Sequence, residues 1–244
     1  MLSKIKEREI KAVIFSFLFV VVLMSAYYIL RPVRDAMASD WTDAEVSWLW
    51  TLNFFISTGI VALYGIAVSK FRFRLLVPTM YGIFAGSFVM FYLLGSISDD
   101  RTLIDKAFYV WVSVFSLFNI SVFWSFMSEL FSKEQSGRLF GIIAVGASIG
   151  GLIGPSITAF FSVSLGIDNL MLIASTMLLI PIPIIFYLQS LKATDLNNGK
   201  LDLTPPSQPI GGNPIAGFKM LFSNPYLLSI ALFIFLYTGI SSFV

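Results

Sequence analysis

Seven apolar runs, each long enough to cross a bilayer, organise this chain: residues 12–30, 46–68, 75–96, 107–128, 139–163, 168–189 and 226–244. Each exceeds the ~18 residues at which an apolar stretch reads as a transmembrane helix, although several carry scattered Ser, Thr or Asn. Charges gather in the gaps, so the pattern predicts six closely spaced membrane helices, a polar linker and a seventh span. Lys4, Lys6, Arg8 and Lys11 precede the first run, as they would in a signal peptide. That run leads into Arg31-Pro32, with no small-residue cleavage site, so it reads as an uncleaved span.

The end of the first run breaks the pattern. Ala26-Tyr-Tyr-Ile-Leu-Arg-Pro-Val-Arg-Asp-Ala-Met-Ala38 places Arg31, Arg34 and Asp35 within five residues. On a helix Tyr27, Arg31, Arg34, Asp35 and Ala38 share one face. Such charges either flank the span at the water interface or line a polar path through the protein. A helix continuing to about residue 38 would be roughly 40 Å long, against a hydrocarbon core of ~30 Å. Tilted and bent near Pro32, it would hold the three charges along a central cavity, where water and mutual pairing offset the cost of burial. We expect the cavity placement.

Charge then orients the spans. Lys4, Lys6, Arg8, Lys11, Lys70, Arg72, Arg74, Lys133, Arg138, Lys192, Lys200 and Lys219 fall on one side; Arg31, Arg34, Arg101 and Lys106 fall on the other. By the positive-inside rule the N-terminus is expected in the cytoplasm. The acids Asp40, Asp43, Glu45, Asp99, Asp100, Asp105 and Asp168 lean outward.

Composition narrows the function classes. With 57% hydrophobic and 12% charged residues, against about 25% charged in soluble domains, this is a membrane protein. No Cys and no His removes disulfides, thiol catalysis, nucleophile–His pairs and the usual zinc sites. No nucleophile or acid–base pair stands at workable spacing, so neither an enzyme nor a cofactor or metal site is expected.

Three further patterns bear on mechanism. In the fifth span Gly146, Gly150 and Gly154 recur every four residues, followed by Pro155. That face lacks side chains, so a neighbouring helix can approach closely, as static packing or as a sliding surface during gating. The loop after span 2, with Lys70, Arg72 and Arg74, either faces anionic lipid or forms a cytoplasmic gate with Glu129, Glu134 and Arg138 beyond span 4. Mid-span Asn53 and Asn119 suit interhelical hydrogen bonds or substrate contacts, and Trp124 suits packing or stacking on a flat ligand. The linker at 190–225 carries Thr204-Pro-Pro-Ser-Gln-Pro209 and Gly211-Gly-Asn-Pro214, then an amphipathic stretch from Ile215 to Phe222 that reads as a short interfacial helix.

Gly65, Arg72 and Arg74 loosely follow the Gly- and Arg-rich signature that the major facilitator superfamily carries at this loop, with Ser69 near the place of the usual acid. The segment Phe123-Trp-Ser-Phe-Met-Ser-Glu-Leu-Phe-Ser-Lys-Glu-Gln-Ser-Gly-Arg-Leu-Phe140 resembles the fourth-helix end of the ATP:ADP antiporter family of plastids and intracellular bacteria. Leu30, Arg31, Arg34 and Asp35 are similar to that family's first-helix Leu-Arg-x-x-Lys-Asp, with Arg for Lys and Pro32 where an acid is usual. The resemblance implies an all-α fold: a six-helix N-terminal bundle at 1–189 built as a 3+3 inverted repeat, the linker, and a seventh helix at 226–244 opening a second half that this chain lacks. It implies alternating-access transport in the inner membrane, with a small-molecule substrate, the bilayer and the missing C-terminal half as partners and no nucleic acid. Arg31, Arg34, Asp35, Tyr27, Asn53, Asn119 and Trp124 are the expected substrate contacts. An anionic, nucleotide-like or phosphorylated metabolite is the leading expectation. A proton-coupled carrier of neutral or cationic compounds, or a scaffold of 244 residues, is the alternative.

Overall fold

The computed structural model describes residues 5–71, 73–196 and 216–241, and every regular element among them is helical. A short 3-10 turn, Glu7–Glu9, leads into α1 (Ile10–Met37); then follow α2 (Asp43–Lys70), α3 (Phe73–Ile97), α4 (Thr102–Leu130) and α5 (Lys133–Leu165). The sixth span is α6 (Ile167–Leu179) and α7 (Pro181–Leu191), interrupted at Ile180 because Pro181 and Pro183 cannot donate backbone hydrogen bonds and their rings crowd the preceding turn. After a π turn at Lys192–Leu196 come α8 (Ala216–Ser223) and α9 (Pro225–Ser241). Among the described residues six spans, α1 to α5 and α6 with α7, are long and apolar enough to cross a membrane. The fold is an all-α membrane bundle.

The helices outrun the apolar runs because hydropathy marks only the hydrocarbon core, whereas capping chemistry sets the ends. Thr42 Oγ1 accepts the Glu45 N–H at 3.3 Å while Glu45 Oε2 accepts the Thr42 N–H at 3.0 Å, opening α2. Ser132 and Gln135 do the same for α5. Helix α1 runs unbroken through Pro32 for 28 residues, about 42 Å at 1.5 Å per residue, so Arg31, Arg34 and Asp35 belong to its last turns and not to a loop. The Pro/Gly-rich part of the linker, and Ile215 at the start of the expected short helix, lie outside the described residues; that helix is α8.

Helix α1 occupies the centre, packing on α4, α5, α6 and α7. The other main pairings are α2 with α4, α3 with α4, α6 and α7, and α5 with α6, with slighter contacts of α2 with α3 and of α4 with α5. Exchanging α1 with α4, α2 with α5 and α3 with the sixth span carries all of these but the slight α4–α5 contact into one another: α1–α5 becomes α4–α2, α1–α6 becomes α4–α3, and α5–α6 becomes α2–α3. With alternate spans antiparallel, that is the contact pattern of two three-helix repeats related by a pseudo-twofold axis in the membrane plane. Helices α5, α1, α4 and α2 form one row, with α3 and the sixth span behind. Aromatic rings fill the interior, among them Phe19 against Phe123 at 5.0 Å and Phe84 against Phe115 at 4.9 Å.

The two ends of the front row are joined differently. On α5, Gly146, Gly150 and Gly154 lie against α1, where a Cβ at Gly150 would stand 2.5 Å from the Val21 carbonyl oxygen and one at Gly154 2.7 Å from that of Ser25. Backbone thus meets backbone, and Ser25 Oγ reaches across to the Gly150 carbonyl at 3.4 Å. Helix α2 has no such stripe. It rests on α4 through side chains, Trp50 on Tyr109, Glu45 on Lys106 and Tyr64 on Phe118 at 5.2 Å, and Trp41, in the turn just before α2, adds its ring to Tyr109.

Candidate functional site

The last turns of α1 bring three charges together and lay one of them, Arg34, against α4. Arg34 donates to Asp35 Oδ1 through Nη2 at 2.6 Å and Nε at 2.9 Å, and through Nη1 to Ser113 Oγ of α4 at 3.3 Å. Its guanidinium carbon lies 5.0 Å from the Tyr109 ring centroid, within cation–π range. The Arg34 side chain is only 18% exposed, whereas Arg31 and Asp35 are 51% and 50% exposed. Arg31 approaches Asp35 only at 3.9 Å. Two guanidiniums therefore share one carboxylate, which leaves the cluster with an excess positive charge. One cation is docked on the bundle and the other stands open.

Around this cluster are residues that the hydropathy reading did not single out. Tyr109 accepts the Trp50 indole N–H at 2.9 Å and meets the Trp41 ring edge-on at 5.6 Å. Lys106 donates to Glu45 Oε1 at 2.7 Å and sits 5.9 Å from the Trp41 ring. The available signal was periodicity: Lys106, Tyr109 and Ser113 follow at three and four residues, one polar face on an apolar helix.

The other expected contacts disperse. Tyr27 packs beside Tyr28 and 6.4 Å from Phe115, one turn below the charges. Asn119 is 2% exposed behind Met24 Sδ, 3.8 Å from its Nδ2; its backbone carbonyl accepts from Tyr81 at 3.3 Å, and its side-chain oxygen has no hydrogen-bond partner. Asn53 accepts from Ser57 of its own helix at 3.2 Å. Trp124 packs between Phe123 and Phe140, 5.1 Å from each, and lies about 16 Å along α4 from Ser113. The structure gathers Arg31, Arg34 and Asp35, with Tyr27 adjoining, and sets Asn53 and Trp124 apart.

At the opposite end of the bundle the basic residues engage partners within the same six helices. Arg74 Nε donates to Gln189 Oε1 at 2.9 Å, and Lys192 lies 3.7 Å from Glu129. Arg138 grips Glu9 with both terminal nitrogens at 2.8 and 3.2 Å, helped by Gln135 at 3.3 Å; Glu9 is 3% exposed. Lys70 closes α2, and Arg72 lies outside the described residues. Glu9, Gln189 and Lys192 were missed because their partners are more than sixty residues away in sequence. On the α4 entry side Arg101 holds Asp168 bidentately at 2.7 and 2.8 Å, and this hydrogen bonding pushes the guanidinium pKa up despite partial desolvation.

Comparison with known proteins agrees with this architecture. The agnestins efflux protein of Paecilomyces divaricatus is 28% identical to this chain over 122 residues, which is 50% of this chain and 27% of that protein, so the match spans little more than a quarter of the relative's length. No solved structure matches. The model of the Major Facilitator Superfamily matches residues 13–244. With six membrane-length helices in a three-plus-three arrangement and a family match over nearly its whole length, the chain belongs to the major facilitator superfamily.

Proposed function

We propose that these helices form the N-terminal part of a secondary active transporter that carries an anionic metabolite across the inner membrane by alternating access, its N-terminus in the cytoplasm and a C-terminal half completing the pathway. The observation that carries the substrate class is the cluster on α1, where Arg31 and Arg34 share the single carboxylate of Asp35. An anion satisfies the excess charge, and a guanidinium fork suits phosphate or carboxylate oxygens bidentately. Resemblance of Leu30, Arg31, Arg34 and Asp35 to the ATP:ADP antiporter first helix supports a phosphorylated compound. Asp35 occupies the arginines in the empty state and yields to the substrate. At the cytoplasmic rim, Arg138–Glu9, Lys192–Glu129 and Arg74–Gln189 hold one state of the gate, and the α1–α5 glycine contact is the surface on which those helices shift.

The test is uptake of labelled ATP, ADP and sugar phosphates by liposomes containing the full-length protein. Arg34→Ala should abolish it, and undiminished uptake would remove the anion role. The matched relative, named as an efflux protein, favours a second reading: export of neutral or cationic compounds coupled to protons, with Asp35 as the binding carboxylate. Melting-temperature shifts with the phosphorylated panel or with lipophilic cations separate the two.

A further inference from the structure

Helix α2 touches the bundle mainly through α4, and much of that contact converges on one residue. The ring of Tyr109 faces the Arg34 guanidinium at 5.0 Å; its hydroxyl accepts the Trp50 indole N–H at 2.9 Å; its edge meets Trp41 at 5.6 Å. Tyr109 is 7% exposed, so it serves as a contact between helices and not as a surface group. One side chain of α4 thus joins the docked cation of α1 to Trp50 of the helix that lacks a close backbone contact and to Trp41 in the turn leading into it.

We infer that Tyr109 is a positioning residue: it seats Arg34 on α4 and transmits the occupancy of that arginine to α2. This rests on the anion reading given above. The attraction between a guanidinium and a ring face depends on where the cation sits over the ring. In the empty state Asp35 pairs with Arg34 and leaves the guanidinium on the ring. An anion that displaces Asp35 and takes the Arg34 fork bidentately draws the group towards itself and competes with the ring for it. Arg34 then leaves the ring face, Tyr109 loses the contact that fixes its plane, and the hydrogen bond to Trp50 loses its anchor. The α1–α5 pair is not disturbed in this way, because it is held by backbone contact at Gly146, Gly150 and Gly154 along its length. Substrate at α1 therefore frees α2 selectively.

These 244 residues contain no cysteine, so once any cysteine elsewhere in the full-length protein is replaced by serine, Ser47→Cys on the exposed start of α2 is a single reporter. In the full-length protein in liposomes, maleimide labelling at this position is measured with and without ATP, ADP or inorganic phosphate. Melting temperature is followed in parallel. A coupling of ordinary size predicts a labelling-rate change of about fivefold or more with the bound anion. Tyr109→Phe keeps the ring but removes the acceptor of the Trp50 hydrogen bond. It should abolish the labelling change, keep the anion-induced melting shift, and lower the maximal transport rate with little effect on KM. Trp50→Phe removes the same bond from the other side and must do the same; a merely structural defect would lower both variants' melting temperature without uncoupling labelling from binding. Equal labelling changes in wild type and either variant overturn the relay and leave the anion site standing. No melting shift with any probe, or a shift that survives Arg34→Ala, overturns the anion reading and the relay with it.

Discussion

Adding a single methyl group to the contact between α1 and α5 tests the packing most directly. In Gly150→Ala the new Cβ would lie 2.5 Å from the Val21 carbonyl oxygen, 2.8 Å from Met24 Cβ and 3.1 Å from the Ser25 nitrogen. Two of these are backbone atoms, which cannot turn aside like a side-chain tip. Restoring an ordinary contact near 3.4 Å requires the helices to separate by about 0.9 Å, which also breaks the 3.4 Å hydrogen bond from Ser25 Oγ to the Gly150 carbonyl. Overpacking of this kind costs about 1–3 kcal/mol, and rigid backbone on both sides places this site at the upper end. Replacing Gly by Ala inside a helix recovers about 1 kcal/mol of propensity, so the net loss should be about 2 kcal/mol. Gly141, in the same helix, has nothing within 4 Å of its would-be Cβ, so Gly141→Ala should show the propensity gain alone. The assay is thermal unfolding of the purified full-length protein followed by size exclusion. Gly150→Ala should melt several degrees below wild type and Gly141→Ala at or above it; equal melting of the two would refute backbone contact between α1 and α5.

Other substitutions probe the remaining contacts. Asn119→Leu replaces a buried amide whose oxygen has no hydrogen-bond partner with a side chain of similar size; it should raise stability by about 1–2 kcal/mol, read as a higher melting temperature, and a fall would show that the amide is satisfied in the membrane. Glu9→Gln weakens a charge-assisted bidentate pair on a buried carboxylate and should cost about 1–3 kcal/mol, with a double-mutant cycle against Arg138→Gln recovering part of the loss. Asp168→Asn acts on a half-exposed pair, so its cost should stay under about 1 kcal/mol and shrink with added salt; a loss comparable to that of Glu9→Gln would contradict the exposure seen for Arg101 and Asp168.

Local chemistry in the sequence already settled a good deal. Of the seven spans that the apolar runs mark, six are helices of membrane-crossing length among the described residues, because a bilayer demands a fixed length of continuous helix. The four-residue glycine repeat marked a close-approach face, and the spacing of Arg31, Arg34 and Asp35 put them on one side of a single long helix. The Thr42–Glu45 and Ser132–Gln135 capping boxes, readable as short motifs, account for helix starts earlier than hydropathy alone suggested. What remained for the tertiary structure was partnership. These helices are apolar nearly all round, so periodicity says little about which face meets which neighbour. Nothing local to Gly150 names α1 as its partner, and nothing near Arg34 names Tyr109, Ser113 or, through them, Trp50. Nor does sequence proximity link Glu9 to Arg138, 129 residues away, or separate the buried Asn119 from the open Arg31. Those pairings follow from the crossing of the two three-helix repeats, a long-range arrangement that no window of the chain contains. The first helix supplied the charges; the fourth decided which of them is held and which is left open.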